Sequence, residues 1–198
     1  MKKPPAHSTY ARIVGEIAIA WNELEMRLDS LAFHYLTVDS KVAGFILGEM
    51  RNATKAQFAR FLIERFETDE MLREHGLHLV SLIDGVRDNR NILEHALPDS
   101  YRGEYHGTVY KQNKRGTYVP CAAPIDALKS LLLTMQATVP YAFWINRCIN
   151  WNRDGEADGF KGGPTTAEAA LRVLSTLERP QLPDKIAPLP PAVMEEDR

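Results

Sequence analysis

Eight large apolar residues near the start of the chain, Tyr10, Ile13, Ile17, Trp21, Leu24, Leu28, Leu31 and Tyr35, recur at intervals of three and four. That is the period of an α-helix with one dry face along its whole length. A strand cannot produce it, because strand side chains change face at every residue. A helix with so long a seam must bury it against other elements, so this segment alone commits the chain to a layered helical fold. Ser8 or Thr9 stands where an N-cap belongs.

The same period returns downstream. Val42, Phe45, Ile46 and Leu47 predict a second helix, and Phe58, Phe61, Leu62 and Phe66 a third after Asn52 and Thr54. A fourth begins near Asp69, carries a potential break at Gly76 and ends before Pro98. From Tyr101 to Val119, Tyr, Thr and Val residues flank a polar Lys111-Gln112-Asn113-Lys114-Arg115-Gly116 turn, which predicts a β-hairpin or extended ribbon with a basic tip. Pro124 suits the first turn of a further helix with Leu128, Leu131, Leu132, Met135 and Val139, and Pro140 is expected to kink it before Phe143, Trp144 and Ile145.

From Asn150 the chain reads as a linker, with Asp154-Gly155, Asp158-Gly159 and Gly162-Gly163-Pro164, and its acids lack the spacing of a calcium loop. Thr165-x-x-Glu168 reads as a capping box opening a short helix through Leu171, Leu174 and Leu177. Beyond it, prolines and polar residues predict fading order, and the acidic stretch Val193 to Arg198 a mobile end. The expected organisation is an all-α domain over 1–150 with a hairpin insertion near 101–119. Residues 151–198 would form an appendage of linker, short helix and flexible proline-rich tail.

Composition narrows the function. With 198 residues, 44% hydrophobic and 25% charged, the chain can build a real core. A net charge of -2 argues against a broad basic surface, so nucleic acid would need a local patch or an assembled cleft. Cys121 and Cys148 have apolar neighbours and no ligand-spaced companion, which predicts buried free thiols and neither disulfide nor zinc. No His, Asp and Glu set has metal-ligand spacing, so no metal and no cofactor is expected. Lys2 and Lys3 precede no apolar core of a signal sequence, and no apolar run approaches membrane-spanning length. The expectation is a cytoplasmic protein without a membrane partner.

The chemistry concentrates at the end of the fourth helix, in Arg87-Asp88-Asn89-Arg90-Asn91-Ile92-Leu93-Glu94-His95. Asn91 and His95 are i, i+4 neighbours on one face, and Arg90 lies beside Asn91. Arg90 also interrupts the apolar series Leu79, Ile83, Val86, Leu93, Leu97, where a cation needs either a partner or a function. The plain reading pairs Arg90 with Glu94 at i, i+4 and leaves His95 as a cation favoured by the helix C-terminus. The chemical reading uses the guanidinium to hold a phosphate and the imidazole to move a proton.

Arg90, Asn91 and His95 form an Arg-Asn-x-x-x-His motif. Together with the long first helix, its Trp21-Asn22-x-Leu24-Glu25 run and the helical pair that follows, it resembles the HEPN superfamily over about residues 8 to 150. The resemblance implies a four- or five-helix bundle and a metal-independent endoribonuclease of a toxin–antitoxin or anti-phage type. Such an enzyme attacks with the RNA 2'-hydroxyl and leaves a 2',3'-cyclic phosphate. It implies His95 as general base or acid, Arg90 on the scissile phosphate and Asn91 orienting His95 or the phosphate by hydrogen bonding. It also implies a homodimer in which two motifs line one cleft, and an antitoxin or regulatory partner. The other class consistent with it is a catalytically inert nucleotide-binding or protein-interaction module.

Further residues attach to this reading. Arg87, i, i+4 from Asn91, is the best auxiliary RNA contact, and Lys111, Lys114 and Arg115 at the hairpin tip would extend the RNA path. Asn22, Glu25 and Asp29 share one side of the first helix, where Asn22 and Glu25 would line the cleft or where the stripe would form interhelical ion pairs. Glu94 would line the cleft too, or hold Arg90 in the free protein. Leu97 stands where a subset of the family's toxins has a tyrosine modified by a partner enzyme, so that control is not expected here. His34, His75, His78 and His106 lack catalytic or metal spacing and read as structural.

Overall fold

A computed structural model describes residues 6–36, 38–101, 104–154 and 167–190. The elements run α1 (Ala6–Tyr35), α2 (Ser40–Glu49), α3 (Asn52–Phe66), α4 (Glu70–His95), β1 (Ala96–Tyr101), β2 (Glu104–Gln112), β3 (Tyr118–Ala122), α5 (Ile125–Asp154) and α6 (Ala167–Thr176). The protein is mostly helical with one small antiparallel sheet. Among the described residues, no helix is long and apolar enough to cross a membrane. The linker expected from Asn150 starts later, because α5 continues to Asp154; its remainder, the Thr165 cap and the acidic end lie outside the described residues.

The chain divides into two compact units, and the division falls inside α1, α4 and α5. The first unit comprises residues up to Trp21, 85–135 and the segment from 183 onward. Its core draws on the first half of the α1 seam, where Tyr10, Ile13, Ile17 and Trp21 are all buried, with Val86, Leu93, Val109, Leu128 and Met135. The α1 helix is already formed at Ala6, so Ser8 and Thr9 sit within its first turns and not at a cap.

The sheet of this unit has the order β1-β2-β3. The hairpin was expected; β1 was not. Its six residues follow His95 directly and pair with β2, Ala96 opposite Lys111 and Leu97 opposite Tyr110. Leu97 therefore leaves the helical series that the sequence pattern put it in and is exposed. The hairpin turn is closed by Asn113, whose Oδ1 accepts from Arg115 N and Thr117 N at 2.9 and 3.1 Å, and by Gly116 at a φ of 79°.

The proline-rich stretch after α6 also departs from expectation, because it is fastened and not loose. Ala122 N donates to Ala187 O and Leu189 N to Pro120 O, which adds this strand-like segment to the β3 edge. Asn89 of α4 holds it from the other side: Nδ2 donates to Asp184 O at 2.7 Å, and Oδ1 accepts from Ile186 N at 2.9 Å. Ile186 is buried.

The second unit comprises 22–84 and 136–182. Leu24, Leu28, Leu31 and Tyr35 continue the α1 seam into its core with Leu47, Leu62, Ile63, Leu79, Ile145 and Leu174. Asp69 caps α4, its Oδ1 accepting from Leu72 N at 2.9 Å. The α4 helix is unbroken at Gly76; a Cβ there would lie 3.1 Å from Ile63 Cδ1, so the glycine serves close helix packing. The faces of α2 and α3 differ from the pattern reading. Ala43, Leu47, Ala59 and Leu62 are buried, whereas Val42, Phe45, Phe61 and Phe66 are exposed.

Candidate active site

The motif sits at the C-terminal end of α4 in the first unit. Arg90 keeps the core-facing position that the apolar series gives it, with its side chain 23% exposed. Its partners come from its own unit: the guanidinium lies over the Trp21 ring, 5.7 Å from the centroid, and ion-pairs with Glu94. It also donates to Asn91 Oδ1 at 3.3 Å. The ring explains how a cation is tolerated there, because its face is electron-rich and its bulk shields the stem from water.

His95 is the last residue of the helix and its side chain is 73% exposed. Its Nε2 lies 3.7 Å from Glu94 Oε2, so Glu94 stands between the guanidinium and the imidazole. The plain i, i+4 pairing read from the sequence is thus present. Beneath the charged groups is a hollow of about 70 Å³ between α1 and α4, lined by Val14, Ile17, Ala18, Arg90, Leu93 and Glu94. Its lining is apolar apart from Arg90 and Glu94, and Glu94 is the residue that links it to the His95 imidazole.

Strand register brings the hairpin toward this end of α4. Lys111 is directly opposite Ala96, the residue after His95, and opposed residues in antiparallel strands point to the same face. Lys114 and Arg115 are exposed in the turn that follows. Arg87 is part-buried and donates to Asp88 Oδ1 at 2.9 Å.

Asn22 and Glu25 belong to the second unit. There Glu25 and Asp29 face the buried Lys55 ammonium, at 3.7 and 2.9 Å, which is the interhelical ion pair that the stripe suggested. Val86 is fully buried, so it is a core residue and not part of an interface. Cys121 and Cys148 are buried free thiols, and burial raises both above the ordinary thiol range. Among the described residues, no group of His, Cys, Asp and Glu is placed to hold a metal.

Sequence reasoning missed Asn89, although a signal existed. It lies three residues after Val86 and four before Leu93, which puts an amide on the buried face of the motif helix. It also took Trp21 only as seam and family marker, whereas the ring is what Arg90 rests on. Compared with family models, curated proteins and solved structures, the chain finds no match.

Proposed function

We propose that the protein is a metal-independent endoribonuclease of the HEPN type, acting in a toxin–antitoxin or anti-phage setting. The observation that carries this reading is the grouping, on the last turns of α4, of a ring-supported guanidinium that lines a small hollow, an amide and an exposed imidazole. In the proposed reaction Arg90 exchanges Glu94 for a phosphate oxygen of RNA and stabilises the charge that builds on the pentavalent phosphorus. His95 takes the proton of the 2'-hydroxyl as its oxygen attacks phosphorus. The bond to the 5'-oxygen breaks, that oxygen is protonated, and a 2',3'-cyclic phosphate remains. Asn91 holds the guanidinium in place.

A second copy is proposed to supply the facing Arg90 and His95, giving one proton acceptor and one donor in a shared cleft. The exposed Leu97 and Tyr110, an opposed cross-strand pair next to His95, offer apolar surface for that contact. An antitoxin or other regulatory partner is proposed to restrain the activity. A second reading is favoured by the Arg90–Glu94 pair itself, which satisfies the cation without any ligand: an inert interaction module that keeps the helical frame.

Incubating purified protein with RNA in EDTA separates the two. We expect cleavage with cyclic-phosphate ends, reduced about 10²-fold or more in His95→Ala, the span of general acid–base contributions. Intact RNA, or equal cleavage by the variant, rejects the enzyme in favour of the module.

A further inference from the structure

The second unit contains a hollow that the ribonuclease reading does not use. It lies between α1 and α5, has a volume of about 130 Å³, and is lined by Arg27, Ser30 and His34 on one helix and by Phe143, Asn146 and Arg147 on the other. Both sets recur at helical spacing, so each helix turns one polar strip toward the same space. The Arg27 and Arg147 guanidiniums lie over the single Phe143 ring, at 5.4 and 6.0 Å, and Arg147 also lies 4.5 Å from the Trp151 centroid. Ser30 Oγ is 3.4 Å from His34 Nε2.

Among the buried atoms in this place without a hydrogen-bond partner are Arg27 Nε and Asn146 Oδ1. Asn146 is only 5% exposed, and its orientation is set because Nδ2 donates to Arg27 O at 3.0 Å. The amide oxygen is therefore an acceptor with nothing to accept. Buried polar atoms are nearly always satisfied, and an exception calls for a ligand or a bound solvent molecule. Among the described residues no carboxylate lines the hollow, and Arg27 Nη2 pairs with Glu23 Oε1, one helical turn away, at 3.6 Å. For Arg27 the Phe143 ring face offsets only part of the desolvation of the guanidinium.

We propose that this hollow binds the phosphate group of a small molecule, held by Arg27 and Arg147, with Asn146 Oδ1 accepting a proton donor that the ligand carries. The donor requirement makes the site selective. Hydrogen phosphate keeps an O–H at neutral pH and satisfies both the guanidiniums and the amide oxygen, whereas sulfate offers acceptors alone and leaves Asn146 unsatisfied. A phosphomonoester meets the same demand with a hydroxyl on its organic part. The volume, about four waters' share of liquid, admits the phosphate and little more.

The test is calorimetric titration of the full chain at constant ionic strength with inorganic phosphate, sulfate and glycerol 3-phosphate. We expect saturable phosphate binding at least tenfold tighter than sulfate, with the ester arm telling whether the natural ligand is the free ion or a monoester. Arg27→Gln and Ser30→Asp should each weaken it at least tenfold, the first by removing a cation and the second by adding a carboxylate. Arg90→Gln should leave it unchanged, because that cation belongs to the other site. Should Arg27→Gln fail to fold by circular dichroism, Ser30→Asp decides. Equal affinity for sulfate, no saturable binding, or a loss confined to Arg90→Gln overturns the proposal, and none of these outcomes depends on whether RNA is cleaved.

Discussion

His75 illustrates how one side chain ties packing to pH. It is buried on α4, with its Nδ1 2.7 Å from the Tyr141 hydroxyl. Burial first, then the charges of Arg179 and His78, lower its pKa below the ordinary value, and Glu74 opposes them weakly. The folded chain thus refuses a proton that the unfolded chain accepts below about pH 6.5. His75 contributes its full stability above that pH, and the contribution is lost as the pH falls toward the lowered folded value. Urea midpoints should therefore drop as the pH falls below about 6.5. In His75→Gln, which retains a hydrogen-bonding group without the titration, the drop should be smaller; equal drops would show that other groups set the acid limit.

Among the elements, the segment 183–190 gains its order from two neighbours, the β3 edge and Asn89. Asn89 works because an amide carries a donor and an acceptor on one planar group, matching one backbone C=O and one backbone N–H. Asn89→Ala should remove both bonds inside a buried setting and lower stability by about 2–3 kcal/mol, read from urea unfolding. Asn89→Asp should also destabilise, because its second oxygen would face the Asp184 carbonyl. A variant as stable as the parent would mean that the β3 edge alone holds the segment.

At the scale of the whole molecule, a net charge of -2 means that, on the proposed ribonuclease reading, RNA would have to be drawn by local cations. The hairpin tip is the accessible cluster on the unit that carries the motif. Replacing Lys114 and Arg115 together by glutamate should weaken binding across RNA sequences and flatten the plot of log affinity against log salt by about 1.4, two contacts at single-strand values. An unchanged slope would remove the tip from the RNA path. Assembly is tested at Leu97, which is exposed two residues after His95. Leu97→Glu should leave the fold intact, reduce the mass seen by light scattering to that of one chain, and abolish cleavage with it. A fully active single chain would mean that one motif suffices.

The helical seams were legible without coordinates because burial of a long apolar stripe depends on period alone. Tyr10 to Tyr35 are buried along all of α1, and the hairpin turn follows from its own Asn113 and Gly116. The candidate site was legible as a spacing, since i, i+4 neighbours share a helix face whatever else is present. Its environment was not. That Trp21 supports Arg90, that Ala96 leaves the helix to pair with Lys111, and that Asn89 fastens residues about a hundred positions away are matters of long-range contact. Local propensity is blind to such partners. The same holds for the Arg27 and Asn146 hollow: its polar residues look ordinary on each helix, and only tertiary structure, by setting the two helix faces opposite one another, left an acceptor and a guanidinium nitrogen buried without partners.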